Sequence, residues 1–233
     1  MKNVARCRRF VANLSRWLAG ALSALLAAAV LTGPARACYT GLVNIPTAEV
    51  IEPGQYGIEL QFDGSFAPGA DARILNTELG LSPRLEAGVD FDLSHGAETR
   101  ALLNAKYLLV LGAEKHPALA AGICNVGRQA SNTPYLVATQ EFRGVRGHLG
   151  AARIDGHGRG FVGFDRAVNE KLILMADYTG GSDNFATVGA SCQFTDRFGV
   201  MAGAILPNSR GEDAGFTVHF VFNGPYRHAQ EEK

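Results

Sequence analysis

The segment from Arg73 to Ser94 alternates apolar and polar residues along two predicted strands that are joined by a turn at Ser82-Pro83. Successive side chains of a strand point to opposite faces, so this spacing predicts one apolar and one polar face for each strand. The apolar row consists of Leu75, Thr77, Leu79 and Leu81, followed by Leu85, Ala87, Val89, Phe91 and Leu93. The opposite row carries Asn76, Glu78, Glu86, Asp90 and Asp92. The segment therefore predicts a β-hairpin with one apolar and one acidic face.

Similar strands recur along the chain, and their lengths are close to the ~9–11 residues with which a tilted strand crosses a bilayer. An even number of strands, twelve, is predicted, and no long helix is predicted after residue 55. The predicted strands are 56–66, 73–82, 84–94, 101–111, 117–127, 134–142, 145–154, 159–168, 171–180, 185–194, 197–206 and 214–223.

The connections between these strands alternate in length. The odd-numbered ones are long and polar (APGADA, HGAETR, RQASNT, DGHG, TGGSDN and PNSRGED), and most of the even-numbered ones are tight turns. Only GAEKH, at 112–116, interrupts the rhythm. Long loops at one end and short turns at the other are typical of outer-membrane barrels, whose short turns face the periplasm. We therefore expect an all-β fold, a closed antiparallel up-and-down transmembrane β-barrel of about 12 strands.

The first 37 residues have the features of a secretory signal peptide. A basic stretch precedes the apolar run from Leu18 to Leu31, and Ala35-Arg36-Ala37 forms a small-x-small cleavage site. Six of the 22 lysines and arginines and none of the 22 acids lie in this segment, so the mature chain has a formal charge of −6. That balance does not favour nucleic-acid binding, which requires a basic surface. The expected organisation is a signal peptide at 1–37, a periplasmic lead-in at 38–55, the barrel at 56–224 and a polar tail at 225–233. The proline and polar residues of the lead-in also permit a position inside the barrel.

The polar rows contain charges of both signs that would be costly in lipid. An arginine or lysine that faces the bilayer midplane costs about 2–4 kcal/mol, so we expect these side chains to face the lumen, in a structural or pore-lining role. The predicted lumen-facing residues are Glu59, Glu78, Glu86, Asp90, Lys106, Arg146, His148 and Asp177. Whether that lumen is open is not decided by the pattern. A soluble periplasmic β-sandwich or small-ligand-binding barrel, with the apolar rows inside, is the alternative, because it gives the same alternation.

Aromatic residues lie near many of the predicted strand ends, which is where rings meet lipid headgroups in outer-membrane barrels. The last strand places Phe216, Val218, Phe220 and Phe222 on one face and resembles the terminal strand that barrel assembly machinery recognises. Outer-membrane lipid and that machinery are therefore the expected partners.

Cys38, Cys124 and Cys192 remain after the predicted cleavage. Cys124 and Cys192 are expected to be inert buried thiols. Cys38 would be the first mature residue, where lipid modification is conceivable, but Ala35 and Arg36 favour ordinary cleavage. The cysteines and histidines show no metal-ligand spacing, so no metal or other cofactor is expected.

No catalytic constellation is visible in the sequence. A nucleophile needs an adjacent base that a third group orients, and the chain has no G-x-S-x-G motif and no zinc motif. His148 and His219, on polar strand faces, are the candidates for a barrel lipid hydrolase, but the missing partners favour a hydrogen-bonding role. We therefore expect no enzymatic activity.

Several phrases of the mature chain resemble the YjbH-like family of outer-membrane proteins. These are GLVNIPTAEVIEPGQYGIEL, LSPRLEAGVDF, NAKYLLV, HPALAAGI, HLGAAR and FVGFDRAVNEKLILMADY, in that order. The resemblance implies an outer-membrane β-barrel, in a single-barrel short form. It also implies a link to exopolysaccharide production, with polysaccharide export components as partners.

Overall fold

A computed structural model describes residues 41–67, 71–94, 99–127 and 131–226 of the chain. The predicted signal peptide and the last seven residues of the predicted polar tail lie outside the described residues. In the described part, no helix is long and apolar enough to span a bilayer.

The described residues form twelve β-strands, each within two residues of its predicted position. Their bounds are β1 Gln55–Ser65, β2 Ala72–Ser82, β3 Leu85–Asp92, β4 Arg100–Val110, β5 Ala118–Val126 and β6 Thr133–Phe142. The second six are β7 Val145–Ile154, β8 His157–Ala167, β9 Leu172–Thr179, β10 Phe185–Thr195, β11 Phe198–Pro207 and β12 Gly215–Pro225.

These strands form one closed antiparallel barrel in which every strand pairs with its neighbours in sequence. Closure occurs between β1 and β12, which pair over their whole length from Gln55 with Pro225 to Ser65 with Gly215. A closed barrel has no unpaired strand edge. The expected all-β fold and strand number are confirmed, and the alternative of a two-sheet sandwich is wrong.

The two ends of the barrel differ in their connections. We call "turn end" the end at which β2–β3, β4–β5, β6–β7, β8–β9 and β10–β11 connect, and "loop end" the opposite one. Arg143 and Gly144 join β6 to β7 at the turn end with φ angles of 52° and 79°. At the loop end, the predicted long connection DGHG is instead a two-residue turn, Asp155-Gly156, with φ angles of 48° and 81°. An Asp-Gly pair suits a tight hairpin in which both central residues have positive φ, so the flanking residues extend the strands.

Large apolar side chains cover the outside of the barrel. Leu149, in the middle of β7, is 67% exposed, and Phe164, three residues before the end of β8, is 54% exposed. The interior side of the same strands buries His148, Phe161 and Asp165. The alternation therefore places apolar residues outside and many polar residues inside, which is the reverse of a soluble barrel with an apolar core.

Candidate functional site in the barrel interior

The eight residues predicted to face the lumen all turn to the interior of the barrel. Seven of them are at most 5% exposed, and Arg146 is partly exposed. They come from β1 (Glu59), β2 (Glu78), β3 (Glu86 and Asp90), β4 (Lys106), β7 (Arg146 and His148) and β9 (Asp177). The structure gathers them into several hydrogen-bonded groups on different parts of the wall.

The described part of the lead-in also lies inside the barrel. We call residues 41–54 the inner segment. It begins with a tight turn in which Gly41 bridges to Pro46 and the amide of Leu42 donates to the carbonyl of Ile45 at 2.9 Å. It ends at the turn end, where the amide of Gly54 donates to the carbonyl of Gly80 at 3.0 Å. The inner segment therefore occupies lumen space before the chain enters β1.

Apolar packing holds the tip of the inner segment against the strands. Leu42, Val43 and Ile45 are at most 5% exposed. A Cβ added to Gly163 of β8 would come within 2.5 Å of Leu42 Cδ1 and 2.6 Å of Ile45 Cδ1, and one added to Gly189 of β10 within 3.2 Å of Val43 Cγ2. These inward-facing glycines leave the room that the apolar side chains occupy, which is a common use of glycine in strands.

Polar contacts fix the backbone of the inner segment to three parts of the wall. The amide of Asn44 donates to Asp177 Oδ2 at 3.0 Å, and the amide of Ala48 donates to Thr139 Oγ1 at 2.9 Å. The amide of Ile51 donates to Glu86 Oε2 at 2.8 Å. The bonds to the Asp177 and Glu86 carboxyl groups are of the charge-assisted kind, which is stronger than the neutral kind, and all three satisfy backbone groups that the strands cannot.

Lys106 and Glu86 form a buried ion pair at the turn end of this site. Their charged atoms are 3.0 Å apart, and the side chains are 3% and 4% exposed. Lys106 Nζ also donates to the carbonyl of Glu49 in the inner segment at 2.7 Å. Because a buried charge is tolerated only with partners, the pair and the inner segment stabilise each other.

A second charged group joins β6, β7 and β8. Arg146 binds Asp165 through two nitrogens, with Nε and Nη2 both 2.9 Å from Oδ2, and it also pairs with Glu49 of the inner segment. His148 Nε2 lies 2.7 Å from Asp165 Oδ1, and its Nδ1 lies 2.9 Å from Thr139 Oγ1. The group thus links the wall to the inner segment through Arg146 and Thr139.

The β1–β12 seam carries a third group. His219 Nδ1 lies 2.9 Å from Glu59 Oε1, and its Nε2 lies 2.6 Å from Thr217 Oγ1. Thr217 Oγ1 also lies 2.5 Å from Asp63 Oδ1, to which it donates. Asn76 Nδ2 donates to Glu59 Oε1 at 2.9 Å, which extends the group to β2.

Both histidines therefore belong to threonine–histidine–carboxylate chains, an arrangement that resembles a catalytic triad. In neither chain is the hydroxyl free for attack. Thr139 Oγ1 receives the amide of Ala48 and is 8% exposed, and Thr217 already donates its proton to Asp63. These contacts favour structural hydrogen bonding over nucleophilic catalysis.

A small cavity of about 70 Å³ remains between the inner segment and the wall. The tip from Leu42 to Pro46 lines one side of it, and the remaining lining is mixed. Polar residues of that lining include Glu59, Gln61, Asn125, Asn184 and His219, and apolar ones include Tyr135, Phe161 and Met201.

The sequence did not indicate two of the participants. Asp165 is the acid shared by Arg146 and His148, and Thr139 is the hydroxyl that receives the inner segment. Alternation along β8 places Asp165 on the same face as Phe161 and Gly163, and this pattern could have predicted that Asp165 faces the interior. Cys124 is disulfide-bonded, so the prediction of an inert thiol is wrong for it, whereas Cys192 is free.

In the described part of the chain, no group of three or more histidine, cysteine, aspartate or glutamate side chains is arranged to hold a metal ion.

The chain matches no family model and no curated protein. Its fold is similar to two solved structures of the KdgM porin. The porin in complex with disordered oligogalacturonate is 9% identical, with a TM-score of 0.57 over 71% of this chain and 98% of that one. The porin alone is 11% identical, with a TM-score of 0.56 over the same shares. At these identities the likeness shows a shared barrel fold.

Proposed function

We propose that this chain is an exported outer-membrane β-barrel of the structural or pore class, whose lumen is partly filled by its own inner segment. The observation that carries the proposal is the apolar outer surface of a closed barrel. Large side chains on the outer faces of several strands are about half exposed or more, among them Leu103, Leu136, Leu149, Phe164, Leu174 and Val188. Soluble monomers rarely expose contiguous apolar patches of this extent, whereas hydrocarbon would cover them.

Aromatic contacts at the two ends of the outer surface support a membrane setting. At the turn end, the ring centroids of Phe198 and Phe222 are 4.9 Å apart, and those of Phe198 and Phe194 are 5.9 Å apart. At the loop end, Phe66 and Phe216 are 5.7 Å apart. Aromatic residues flank the apolar band of outer-membrane barrels at both headgroup levels.

The barrel interior supports the same orientation. Many of its charged side chains are paired or hydrogen-bonded with each other and with the inner segment, as in the Lys106–Glu86 pair and the Arg146–Asp165 pair. Such a network would be unnecessary on a solvated outer face. The small-ligand-binding barrel considered from the sequence requires the apolar rows inside, and the exposure of Leu149 and Leu174 contradicts that arrangement.

The proposal includes a location, partners and a direction of insertion. Residues 1–37 direct export, barrel assembly machinery inserts the chain, and outer-membrane lipid surrounds it. The turn end and the entry of the inner segment face the periplasm, because short turns lie on that side in outer-membrane barrels. No catalytic role is assigned to His148 or His219, and alanine at both is expected to leave membrane lipid composition unchanged.

The resemblance to YjbH-like proteins adds a narrower proposal, a contribution to exopolysaccharide production together with export components. Its support is the set of sequence phrases in the strands and the inner segment. Deletion of the coding sequence should then lower secreted polysaccharide, and the full-length chain should restore it. Unchanged polysaccharide in the deletion strain would remove this proposal and leave the barrel proposal intact.

Fractionation tests the main proposal. The mature chain is expected in the outer-membrane fraction, and its folded form should migrate differently from its heated form on gels that contain dodecyl sulfate. Recovery in the soluble periplasmic fraction, with one migration before and after heating, would overturn the proposal.

A further inference from the structure

The cavity beside the inner segment lies toward the loop end of the lumen. Its lining includes residues at the loop-end limits of four strands: Thr133 begins β6, Ile154 ends β7, Thr179 ends β9 and Phe185 begins β10. The tip of the inner segment, from Leu42 to Pro46, lines the side that faces the interior of the barrel. With the turn end in the periplasm, this cavity lies toward the cell exterior.

A β-bulge turns an additional polar side chain toward this cavity. The register of β4 and β5 shifts so that Cys124 and Asn125 of β5 together lie opposite Asn104 of β4. Regular alternation would turn one of these two side chains outward, but they are 2% and 8% exposed and both residues line the cavity. Asn125 has a φ angle of 59°, and its backbone amide donates to Asn104 Oδ1 at 3.0 Å. Bulges of this kind re-aim side chains and are over-represented beside active sites.

Two side-chain amides of the lining have unsatisfied hydrogen-bonding groups. Asn44, in the tip of the inner segment, and Asn125, in the bulge, both line the cavity. Asn44 Nδ2 and Asn125 Oδ1 are buried and have no partner among the described residues. Each asparagine carries a donor and an acceptor on one planar group, so rotation of that group presents either of them to the cavity. Buried polar groups without partners are costly, and a ligand that carries both a donor and an acceptor would satisfy them.

The rest of the lining restricts the ligand further. Tyr135, Phe161 and Met201 offer apolar surface to a ligand body. The described lining residues include no lysine or arginine, and the carboxylate of Glu59 is already 2.9 Å from His219 Nδ1. An anionic ligand would therefore be buried without a partner, which is costly.

The size of the cavity suits a single-ring molecule. Its volume is about 70 Å³. One water molecule needs about 10–15 Å³ of such space, so the cavity has room for roughly five to seven waters. A ring that carries one small polar substituent displaces a similar number.

We propose that this cavity binds a small neutral molecule that has an apolar ring and an amide group, with the amide paired to Asn125 and Asn44. The site goes beyond the membrane role proposed above, and only its access from the cell exterior rests on the proposed orientation. It also differs from a soluble ligand-binding barrel, because the apolar rows of the strands remain outside. Since the inner segment forms one side of the site, a bound ligand would stabilise the docked inner segment by linkage.

Titrations of the refolded mature chain in detergent micelles, followed by NMR signals of the ligand, test the site. Nicotinamide, a water-soluble ring amide, is the probe and should bind saturably. 3-Acetylpyridine keeps the ring and the acceptor but lacks the donor, so it should bind about two- to tenfold more weakly. Nicotinate replaces the amide by a carboxylate and should bind more weakly than either.

Substitutions in the lining locate the binding. Asn125→Ala and Asn44→Ala should each lower the affinity for nicotinamide by about two- to tenfold, because each removes one hydrogen-bonding partner. Asn132→Ala changes an exposed asparagine at the same end of the barrel and is the matched control, with unchanged affinity. In the wild-type chain, saturating nicotinamide should also slow hydrogen exchange at the backbone amide of Asn44.

Heat-modifiable migration shows whether each variant is folded before it is titrated. Absence of saturable nicotinamide binding to the folded mature chain overturns this inference. Binding that Asn125→Ala and Asn44→Ala both leave unchanged, or nicotinate binding as tight as that of nicotinamide, overturns it as well. None of these results affects the membrane role, which fractionation tests separately.

Discussion

Truncating Ile45 should release the inner segment while leaving the barrel folded. Ile45 is 2% exposed, and its Cδ1 occupies the space above Gly163. Replacing a buried isoleucine by alanine costs about 2–5 kcal/mol, as lost transfer free energy plus a cavity. Because those contacts exist only when the inner segment is docked, Ile45→Ala should shift the docking equilibrium by this amount. At about 1.4 kcal/mol per factor of ten, the undocked population rises roughly 30- to 4000-fold.

Hydrogen exchange measured by mass spectrometry gives a direct readout. The amide groups of the inner segment that donate to protein acceptors include those of Leu42, Asn44, Ala48 and Ile51. Their exchange should accelerate by the same factor as the undocked population, because local opening governs exchange at such sites. Strand amides should keep their wild-type protection. Leu149→Ala removes a similar volume from the outer surface and serves as the matched control, with no effect on the inner segment.

Two results would contradict this prediction. Exchange of the inner segment that is unchanged in Ile45→Ala would show that its apolar tip does not hold it. Faster exchange that spreads equally through β8, β9 and β10 would show that the inner segment is part of the barrel's cooperative core and cannot undock separately.

Three further predictions concern the outer surface, the buried ion pair and the cysteines. Leu149→Arg should lower the free energy of unfolding in lipid vesicles by about 2–4 kcal/mol, and a denaturant titration that shows a change within about 0.5 kcal/mol would indicate a water-exposed site. Lys106→Met should cost about 3–5 kcal/mol by leaving the Glu86 carboxylate without its partner, and adding Glu86→Gln should restore part of that loss; an unaffected single variant would refute the pairing. In the denatured mature chain, alkylation followed by mass spectrometry should modify Cys192 before reduction and Cys124 only after it, and early modification of Cys124 would exclude its disulfide.

The strand framework was predictable because two separate patterns agree. The period of two positions set the faces, and turn residues set the ends, so β7 was predicted at its observed bounds, Val145–Ile154. The connection after β7 was predicted too long because DGHG was treated as a loop. Its Asp-Gly pair alone forms the turn, and His157 already belongs to β8.

The sequence was compatible with a lead-in inside the barrel but did not predict one. It has no repeating pattern, and its apolar residues contact strands that are distant in sequence, Leu42 and Ile45 at β8 and Val43 at β10. Their burial depends on small residues such as Gly163 and Gly189 facing inward at the right height. This fit between the apolar side chains and the inward-facing glycines exists only after the barrel has closed. Local sequence propensities therefore cannot predict it.

The interior hydrogen-bond groups were only partly predictable from the sequence. Alternation was sufficient to place His148 and Asp177 on the interior face, where they are 1% and 5% exposed. Which acid would meet which base depends on register between strands, and the pairing of Arg146 with Asp165 follows from the β7–β8 register. A single sequence gives each strand's faces but not the stagger between neighbours.

Tryptophan fluorescence can show what surrounds the outer face of the barrel. The one tryptophan of the chain, Trp17, lies in the predicted signal peptide, so the mature chain offers a silent background for a new one. Phe164→Trp places an indole on the outer face of β8, and Glu170→Trp places one in an exposed connection at the turn end. In vesicles that contain lipids brominated on their acyl chains, Phe164→Trp fluorescence should be strongly quenched and Glu170→Trp fluorescence should be little affected. Quenching of Phe164→Trp by aqueous acrylamide, with no effect of the brominated lipids, would show that water and not hydrocarbon covers this barrel.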